Sequence, residues 1–373
     1  MSPFQPFPEV NPPVFAHARR LAGAVLAVSL VLAACGASTT TPEPTDAIGP
    51  ASASPSSADA SAAPATSPDP LVPLTVGLGY IPSVQFAQFY LADQAGYYRD
   101  AGLDVTLQNK VDPDLITLLG QGALDVGSAD GTSVIPAVSQ GIPVVYTATI
   151  YGQFPSVVIA KAGSGISTAA DLRGKRIGIP GKYGSSWIML QALLGSAGLT
   201  TADVTIVEFP DYGQAAALQQ GQVDAATGFA NNEPIQLKNA GIETVVLPVD
   251  DVVALPGPGL VSGSATIDAK RPALEAFTAA TLRAMDDIAN DPQKGLDATF
   301  AAVPDLATDQ GLQRQILDAT ISAWENPRTD APYGTIDTAG WQQSLDFMSG
   351  LGLVPNPITV DQLVDGSLLP GPG

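Results

Sequence analysis

The chain of 373 residues is 45% hydrophobic and 14% charged, which is enough apolar material for two or three domains. Its 36 acidic and 16 basic residues leave a net charge of −20, which argues against nucleic acid or an anionic membrane surface as the partner. The single histidine, His17, and the single cysteine, Cys35, lie in or beside a segment typical of targeting signals. The rest of the chain has neither residue type, which excludes a Ser-His-Asp triad, a cysteine nucleophile and a zinc site of histidine and cysteine ligands there.

The N-terminal segment has the features of a lipoprotein signal. Arg19 and Arg20 precede an apolar run that is short for a membrane span. The run ends in Leu-Ala-Ala-Cys-Gly, which resembles a bacterial lipobox, the class of signal whose cysteine is acylated and becomes the first mature residue. We expect residues 1–35 to be a signal peptide with a lipidated Cys35, the alternative being an uncleaved membrane anchor. Residues 36–72, rich in Ala, Ser, Pro and Thr, are expected to form a disordered tether.

Two halves of the following chain contain the same elements in the same order. In each half a strand leads through a turn into a helix, and then come Ala-Gly-Leu, a second strand, a second helix and a Gln-Gly-x-Leu/Val-Asp sequence. The first half has a strand containing Leu74, Val76 and Leu78, a helix from Phe86, a strand at Val105–Leu107 and a helix around Leu115–Leu119. The second half has a strand at Arg176–Ile179, a helix at Ile188–Leu194, a strand at Val204–Val207 and a helix around Ala215–Leu218. The repetition predicts two α/β lobes, although any chain of βαβ units repeats in this way.

The segments between these halves predict where the chain passes from one lobe to the other. A β-rich run at Val144–Tyr151 is predicted as the first crossing, and a Pro- and Gly-rich segment at Pro248–Gly259 as the return. From Pro272 onward, apolar residues recur at helical spacing and predict helices that cover and buttress the protein. We therefore assign residues 73–153 to lobe I, residues 154–250 to lobe II, and residues 251–373 to a return to lobe I with C-terminal helices.

Polar side chains that could bind a ligand follow two of the predicted strands. Asp130 lies among small residues at 127–133, where a ligand could approach the backbone. A ligand contact and a simple helix cap both remain open for this residue. Asn231, Asn232 and Glu233 form a polar tip, in which Glu233 either contacts ligand or begins a helix.

Several short sequences occur along the chain in a fixed order: GYIPSVQFAQFYLADQAGYYRDAGLDVTL, GQGALDVGSAD, GIPV, DLRGKRIGI and GFANNEP. Together they resemble the solute-binding components of ABC importers that carry thiamine-pyrimidine precursors and related aromatic heterocycles. The similarity is dense over residues 73–255 and loose over the C-terminal helices. GYIPSVQFAQFYLA and GKYGSSWIMLQALL are most similar to the branch of this family that binds riboflavin.

The resemblance implies an α/β protein with a type II periplasmic-binding-protein fold, in which two lobes joined by a two-stranded hinge close on a ligand. It implies riboflavin as the ligand, with a thiamine pyrimidine precursor of the formylaminopyrimidine or hydroxymethylpyrimidine type as the alternative. The implied partners are an ABC permease and its ATPase at the extracytoplasmic face of the cell membrane, and we expect a lipid-anchored monomer without cofactor or metal. The positions implied to line the cleft are Tyr80, Gln85, Asp130, Tyr151, Tyr183, Ser185, Trp187, Asn231, Asn232 and Glu233.

The types of these residues favour a neutral, planar ligand. Aromatic rings can stack on a flat molecule, and amides and carboxylates can supply hydrogen bonds in its plane. No arginine lies in a predicted strand-end loop and Lys182 is the only cation there, whereas anion binders usually hold their ligand with an arginine fork.

Two other classes of function stay open at this point. An extracytoplasmic enzyme could use Asp130 and Glu233 as an acid–base pair, and a surface lipoprotein could have no ligand at all. Eukaryotic synthases that resemble the family build a pyrimidine with an internal histidine. The body of this chain has no histidine, so that activity is not expected here, and we predict a binding protein rather than an enzyme.

Overall fold

A computed structural model of the chain describes residues 70–110, 112–250, 252–327 and 331–371. The predicted signal peptide, Cys35 and residues 36–69 of the predicted tether lie outside the described residues. Val72, which the sequence placed at the end of the tether, is instead the first residue of a strand, because it pairs with Leu103 in a parallel neighbour.

The described strands form two sheets with the same plan. In chain order the strands are β1 (Val72–Leu78), β2 (Leu103–Asn109), β3 (Val126–Asp130), β4 (Val144–Thr149), β5 (Ser156–Lys161), β6 (Arg176–Ile179), β7 (Thr205–Glu208), β8 (Ala225–Phe229), β9 (Thr244–Pro248) and β10 (Pro258–Gly263). The first sheet has the order β2-β1-β3-β10-β4, and the second has the order β7-β6-β8-β5-β9. In each sheet the first three strands run parallel, and the fourth is antiparallel to both of its neighbours. The predicted α/β class and its two lobes are confirmed.

Helices connect the strands and extend the C-terminal part of the chain. They are α1 (Ala87–Gln94), α2 (Tyr97–Asp100), α3 (Asp112–Gly120), α4 (Gly131–Ser139), α5 (Gly184–Ser196), α6 (Gln214–Gln219), α7 (Glu233–Asn239), α8 (Ser264–Asn290), α9 (Pro292–Ala302), α10 (Gln310–Trp324) and α11 (Thr338–Gly350). Within the described ranges, none of these helices combines the length and the apolar character that a membrane span requires.

The repeated Gln-Gly-x-Leu/Val-Asp sequence has the same structural role in both lobes. The Asp125 carboxylate accepts the backbone N–H of Thr75 at 2.8 Å, and it also pairs with Lys270. The Asp224 carboxylate accepts the backbone N–H of Arg176 at 2.9 Å and pairs with its guanidinium. Each acid therefore ties the start of β3 or β8 to the parallel strand beside it, which accounts for the recurrence of the sequence.

Two connecting segments run between the sheets, one from β4 to β5 and one from β9 to β10. They lie against each other: the backbone N–H groups of Ile150 and Tyr151 both donate to the carbonyl oxygen of Pro258. A Cβ atom at Gly257 would lie 2.4 Å from the Tyr151 carbonyl oxygen, so only glycine allows this approach. The lobe boundaries at residues 153 and 250 stay a prediction.

The C-terminal helices cover the first lobe, as the sequence predicted. Helices α8, α9 and α10 pack with α1 around a buried cluster in which the rings of Tyr98 and Phe277 stack, with their centroids 4.9 Å apart. Helix α8 begins at Ser264, earlier than the predicted start at Pro272, and the backbone departs from helical geometry at Lys270. The proline therefore lies inside a kinked helix, where it cannot donate a backbone hydrogen bond.

Candidate functional site

A cavity lies between the two lobes, where the parallel strands of both sheets end. Its volume is about 810 Å³ when the open space at its mouth is included. In one lobe its walls come from the segment after β1 and from the end of β3. In the other lobe they come from the segments after β6 and β7 and from the end of β8 with the residues that follow it. Open α/β sheets bind their ligands at the carboxyl ends of strands, so this cavity is the candidate ligand site.

Most of the residues that the sequence implied as ligand contacts line this cavity. They come from both lobes and are Tyr80, Gln85, Asp130, Tyr151, Tyr183, Ser185, Asn232 and Glu233. The structure therefore brings together side chains that are far apart in the chain. Their roles in binding stay a prediction.

Trp187 does not lie at the cavity. It follows Ser185 by two residues in α5, so its side chain leaves the helix about 200° around the axis from the serine that lines the cavity. The indole is half-buried and packs against a hydrophobic cluster. We therefore correct its expected ligand contact to a packing role.

Asn231 lies behind the cavity wall rather than in it. Its Nδ2 donates to the Thr320 hydroxyl oxygen at 2.8 Å and lies 3.4 Å from Gln85 Oε1 and from the Tyr151 hydroxyl. The Thr320 hydroxyl donates to the carbonyl oxygen of Ile316, so its oxygen can only accept from Asn231. Because Asn231 follows β8 and Thr320 belongs to α10, this group links the second lobe to the helices that cover the first.

The sequence reasoning missed several cavity-lining side chains with rings or amides: Phe86, Tyr212, Gln214 and Phe229. Tyr212 and Gln214 follow β7, whose carboxyl end lies at the same sheet edge as the ends of β6 and β8. The sequence predicted strand β7, so these two residues could have been found: the residues that follow any parallel strand of this lobe are candidates for the cavity wall. Phe86 was assigned to the start of a helix, and Phe229 was not singled out.

Each lobe contributes three aromatic rings to the cavity: Tyr80, Phe86 and Tyr151 from the first lobe and its connecting segment, and Tyr183, Tyr212 and Phe229 from the second. The rings of Tyr80 and Tyr212 meet edge to face across the lobes, with centroids 4.7 Å apart and an interplanar angle of 80°. Tyr212 has a φ of 60°, in the left-handed region that is costly for a residue with a side chain. The surrounding structure therefore holds this ring in place despite backbone strain.

Two carboxyl groups line the cavity and both have raised pKa values. Burial raises the pKa of Glu233 from 4.5 to about 7, although its Oε2 accepts the Phe229 N–H at 2.7 Å. Burial also raises the pKa of Asp130. The Asp130 carboxylate does not cap its own helix α4 but accepts the Ser185 N–H in the other lobe at 3.2 Å. Glu233 is the first residue of α7, so it begins a helix and lines the cavity at once.

No lysine or arginine is among the described residues that line the cavity. Lys182, the cation that the sequence placed nearby, is exposed, and its Nζ lies 3.9 Å from Glu208 Oε1. The charged groups that a ligand meets are therefore acids with raised pKa values, and a neutral ligand suits this cavity better than an anion.

The chain is similar in sequence to one family model and to several named proteins. Residues 83–295 match a family model described as NMT1/THI5 like. The chain is 34% identical to the riboflavin-binding protein RibY of Chloroflexus aurantiacus, over 92% of this chain and 96% of that protein. It is 26% identical to the formylaminopyrimidine-binding protein of Halalkalibacterium halodurans, over 80% of this chain and 91% of that protein. A 4-amino-5-hydroxymethyl-2-methylpyrimidine phosphate synthase of Legionella pneumophila is 26% identical over 49% of this chain and 57% of its own length.

Solved structures share the fold. The alkanesulfonate-binding protein SsuA of Xanthomonas axonopodis pv. citri, bound to MOPS, superposes with a TM-score of 0.62 at 19% identity, over 80% of this chain and 98% of SsuA. This likeness confirms the predicted periplasmic-binding-protein fold with two lobes.

Proposed function

Because the chain belongs to the NMT1/THI5-like family, we propose that it is a receptor of an ABC importer and that its ligand is riboflavin. That it is a solute-binding protein rests on its similarity to two binding proteins over most of its length and on its fold. We further propose that acylation of Cys35 anchors it at the extracytoplasmic face of the cell membrane, as the lipobox-like sequence at residues 32–36 indicates.

The observation that carries the ligand proposal is the pair of aromatic walls, one on each lobe, around a cavity that no described lysine or arginine lines. A flat tricyclic ring system offers two faces for stacking, and each offset aromatic pair adds about 0.5–1.5 kcal/mol beyond the area that it buries. Riboflavin has such a ring system and no net charge. Its binding would also explain why the rings come from both lobes, since a ligand held in this way stabilises the contact between them.

Fluorescence of the flavin tests this proposal directly. We expect the full chain, purified in detergent, to quench riboflavin fluorescence in titrations at micromolar concentration. Replacing Tyr183 by alanine should weaken binding by about tenfold, because a stacking ring is lost. The matched control, Lys294→Ala, changes an exposed residue of α9 and should leave the affinity unchanged. Unquenched flavin at these protein concentrations would reject riboflavin as the ligand.

A thiamine pyrimidine precursor is the second candidate ligand. The similarity to the formylaminopyrimidine-binding protein favours it, as do the polar groups of Asn232 and Glu233 in the same cavity. Competition separates the two: a formylaminopyrimidine that displaces bound riboflavin at equal concentration would favour the pyrimidine, and displacement only at large excess would favour the flavin.

An enzyme remains the alternative from a different class, because the buried Glu233 and the half-buried Asp130 line one cavity and both have raised pKa values. A carboxyl group with a pKa of about 7, as Glu233 has, can donate and accept protons near neutral pH. Prolonged incubation of riboflavin with the protein, followed by chromatography, distinguishes the two classes. A receptor returns the flavin intact, whereas an enzyme leaves a new product in amounts that exceed the protein.

A further inference from the structure

Gln214 combines a place in the cavity wall with an unpaired hydrogen-bond acceptor. It is the first residue of α6, its side chain lines the cavity, and the residue is only 2% exposed. Its Nε2 donates to the carbonyl oxygen of Thr227 in β8 at 3.2 Å. Its Oε1 is buried and accepts no hydrogen bond from any residue that the structure describes. A buried acceptor without a donor is costly, and this one belongs to a residue that lines the cavity.

The chemistry of its neighbour fixes which end of this amide is the oxygen. A backbone carbonyl can only accept, so the Gln214 atom that faces Thr227 must be the nitrogen. The Thr227 hydroxyl does not compete for that place, because it lies 3.5 Å from the carbonyl oxygen of Gly178 and can donate there. The free end of the amide is therefore an acceptor.

Packing holds Gln214 against the sheet. A Cβ atom at Gly178 in β6 would lie 3.1 Å from the Cβ of Gln214 and 3.2 Å from the ring of Phe209, so glycine lets the glutamine lie directly on the strand. The same amide is bonded to β8, and the residue follows Tyr212 by two positions. The glutamine is thus held in position in the same cavity wall as the aromatic residues of the second lobe.

We propose that Gln214 is a specificity-determining residue whose Oε1 accepts a hydrogen bond from a ring N–H of the bound heterocycle. This inference rests on the proposed function and deepens it. The oxidised flavin ring carries one such donor, the imide N3–H. A ligand that presents this N–H satisfies the buried acceptor, and one in which a methyl group replaces the hydrogen leaves it unpaired. Sites of this kind reject the analogue strongly, because the analogue leaves a buried polar group without a partner.

The test compares riboflavin with N3-methylriboflavin on three forms of the full chain. The parent should bind riboflavin at least about tenfold more tightly than the methyl derivative. Gln214→Met, which has a similar shape but no acceptor amide, should lose this preference, because its affinity for riboflavin falls and its affinity for the derivative stays. Gln219→Met changes an exposed glutamine of the same helix and should keep the preference of the parent.

Each outcome separates the inference from the proposed function. Equal affinities in the parent, or a preference that survives in Gln214→Met, would overturn the role of Gln214 and leave riboflavin binding standing. A parent that binds neither flavin would overturn the proposed function and this inference with it. Retained binding of the methyl derivative by Gln214→Met shows that the variant is folded. If that variant binds neither flavin, Gln214→Glu decides at about pH 4, where its carboxyl group is protonated: the hydroxyl can then donate to the Thr227 carbonyl as Nε2 does, and the other oxygen must keep the preference.

Discussion

Glu233 shows how a single buried group can make the stability of this protein depend on pH. The residue is 6% exposed, and burial raises its pKa from 4.5 to about 7. Between these pH values the folded protein keeps a proton that the unfolded chain releases. The contribution of Glu233 to the free energy of unfolding is therefore fully present below pH 4.5 and is lost as the pH rises through 7, by an amount of about 3 kcal/mol.

We expect urea unfolding of the parent to show a decrease in stability from pH 4.5 to pH 8 that Glu233→Gln shows less steeply. The control Glu275→Gln removes the same charge from an exposed position of α8 and should keep the slope of the parent. This control matters because the net charge of −20 also destabilises the folded state as carboxyl groups ionise. Equal slopes in all three proteins would contradict the raised pKa.

A substitution at Tyr212 should affect ligand affinity and stability to different extents. Glycine at this position would relieve the strain of a φ of 60° by about 1 kcal/mol, and it would lose a ring contact with Tyr80 that is worth about the same. Tyr212→Gly should therefore unfold at nearly the urea concentration of the parent but bind riboflavin about tenfold more weakly. Tyr212→Phe keeps the ring and should bind more tightly than the glycine variant. A glycine variant with the affinity of the parent would show that the ring does not contact ligand.

Helix α5 shows what the sequence could and could not predict for an element. The sequence located the carboxyl ends of β1, β3, β6 and β8 well, because alternation and turn residues mark strand ends, and the family resemblance implied that residues near these ends line the cleft. It could not decide which face of α5 is buried, because the segment GSSWIMLQALLGS has no polar stripe. Trp187 was therefore assigned to the ligand, although its ring packs against the core.

Two half-buried aromatic residues at the start of α5 should respond in opposite ways to truncation. Trp187→Ala should lower the free energy of unfolding by about 1–3 kcal/mol, because apolar packing is lost, and leave flavin affinity nearly unchanged. Tyr183→Ala should weaken flavin binding and cost less stability, because its ring lines the cavity. Urea unfolding and fluorescence titration of both variants check this. A loss of binding in Trp187→Ala without a loss of stability would restore the ligand contact that the sequence implied.

At the scale of the whole molecule, the two lobes and their order follow from the repeated sequences, but the contacts that join them do not. Asn231 and Thr320 are 89 positions apart in the chain, and Thr320 lies on α10, in a region that the sequence indicated only as cover. Their contact depends on how the C-terminal helices are placed on the first lobe. Neither periodicity nor turn residues carry that information, because both describe neighbours in the chain.

Asn231→Ala should weaken the contact between the lobes, since it leaves Thr320, Gln85 and Tyr151 without the amide that they share. A buried group that loses its partner costs about 1–3 kcal/mol, so riboflavin affinity should fall by about tenfold. X-ray scattering of the free variant should show a larger radius of gyration. Asn239→Ala is the matched control, because Asn239 also contacts α10, through Gln315, but at the exposed surface. An unchanged affinity in Asn231→Ala would show that this link does not stabilise the ligand-bound arrangement.

Gly152 lies in the segment from β4 to β5 and joins this segment to the end of helix α10 by hydrogen bonds. Its N–H donates to the carbonyl oxygen of Trp324, the next N–H donates to that of Ala323, and a Cβ atom at Gly152 would lie 2.5 Å from the Asn326 nitrogen. We therefore expect rotation of the backbone at this glycine to displace the end of α10 and to move Thr320 away from Asn231. We expect bending of the segment from β4 to β5 to be coupled to separation of Asn231 from Thr320 behind the cavity wall. The ligand should then leave in one concerted step rather than after gradual loosening.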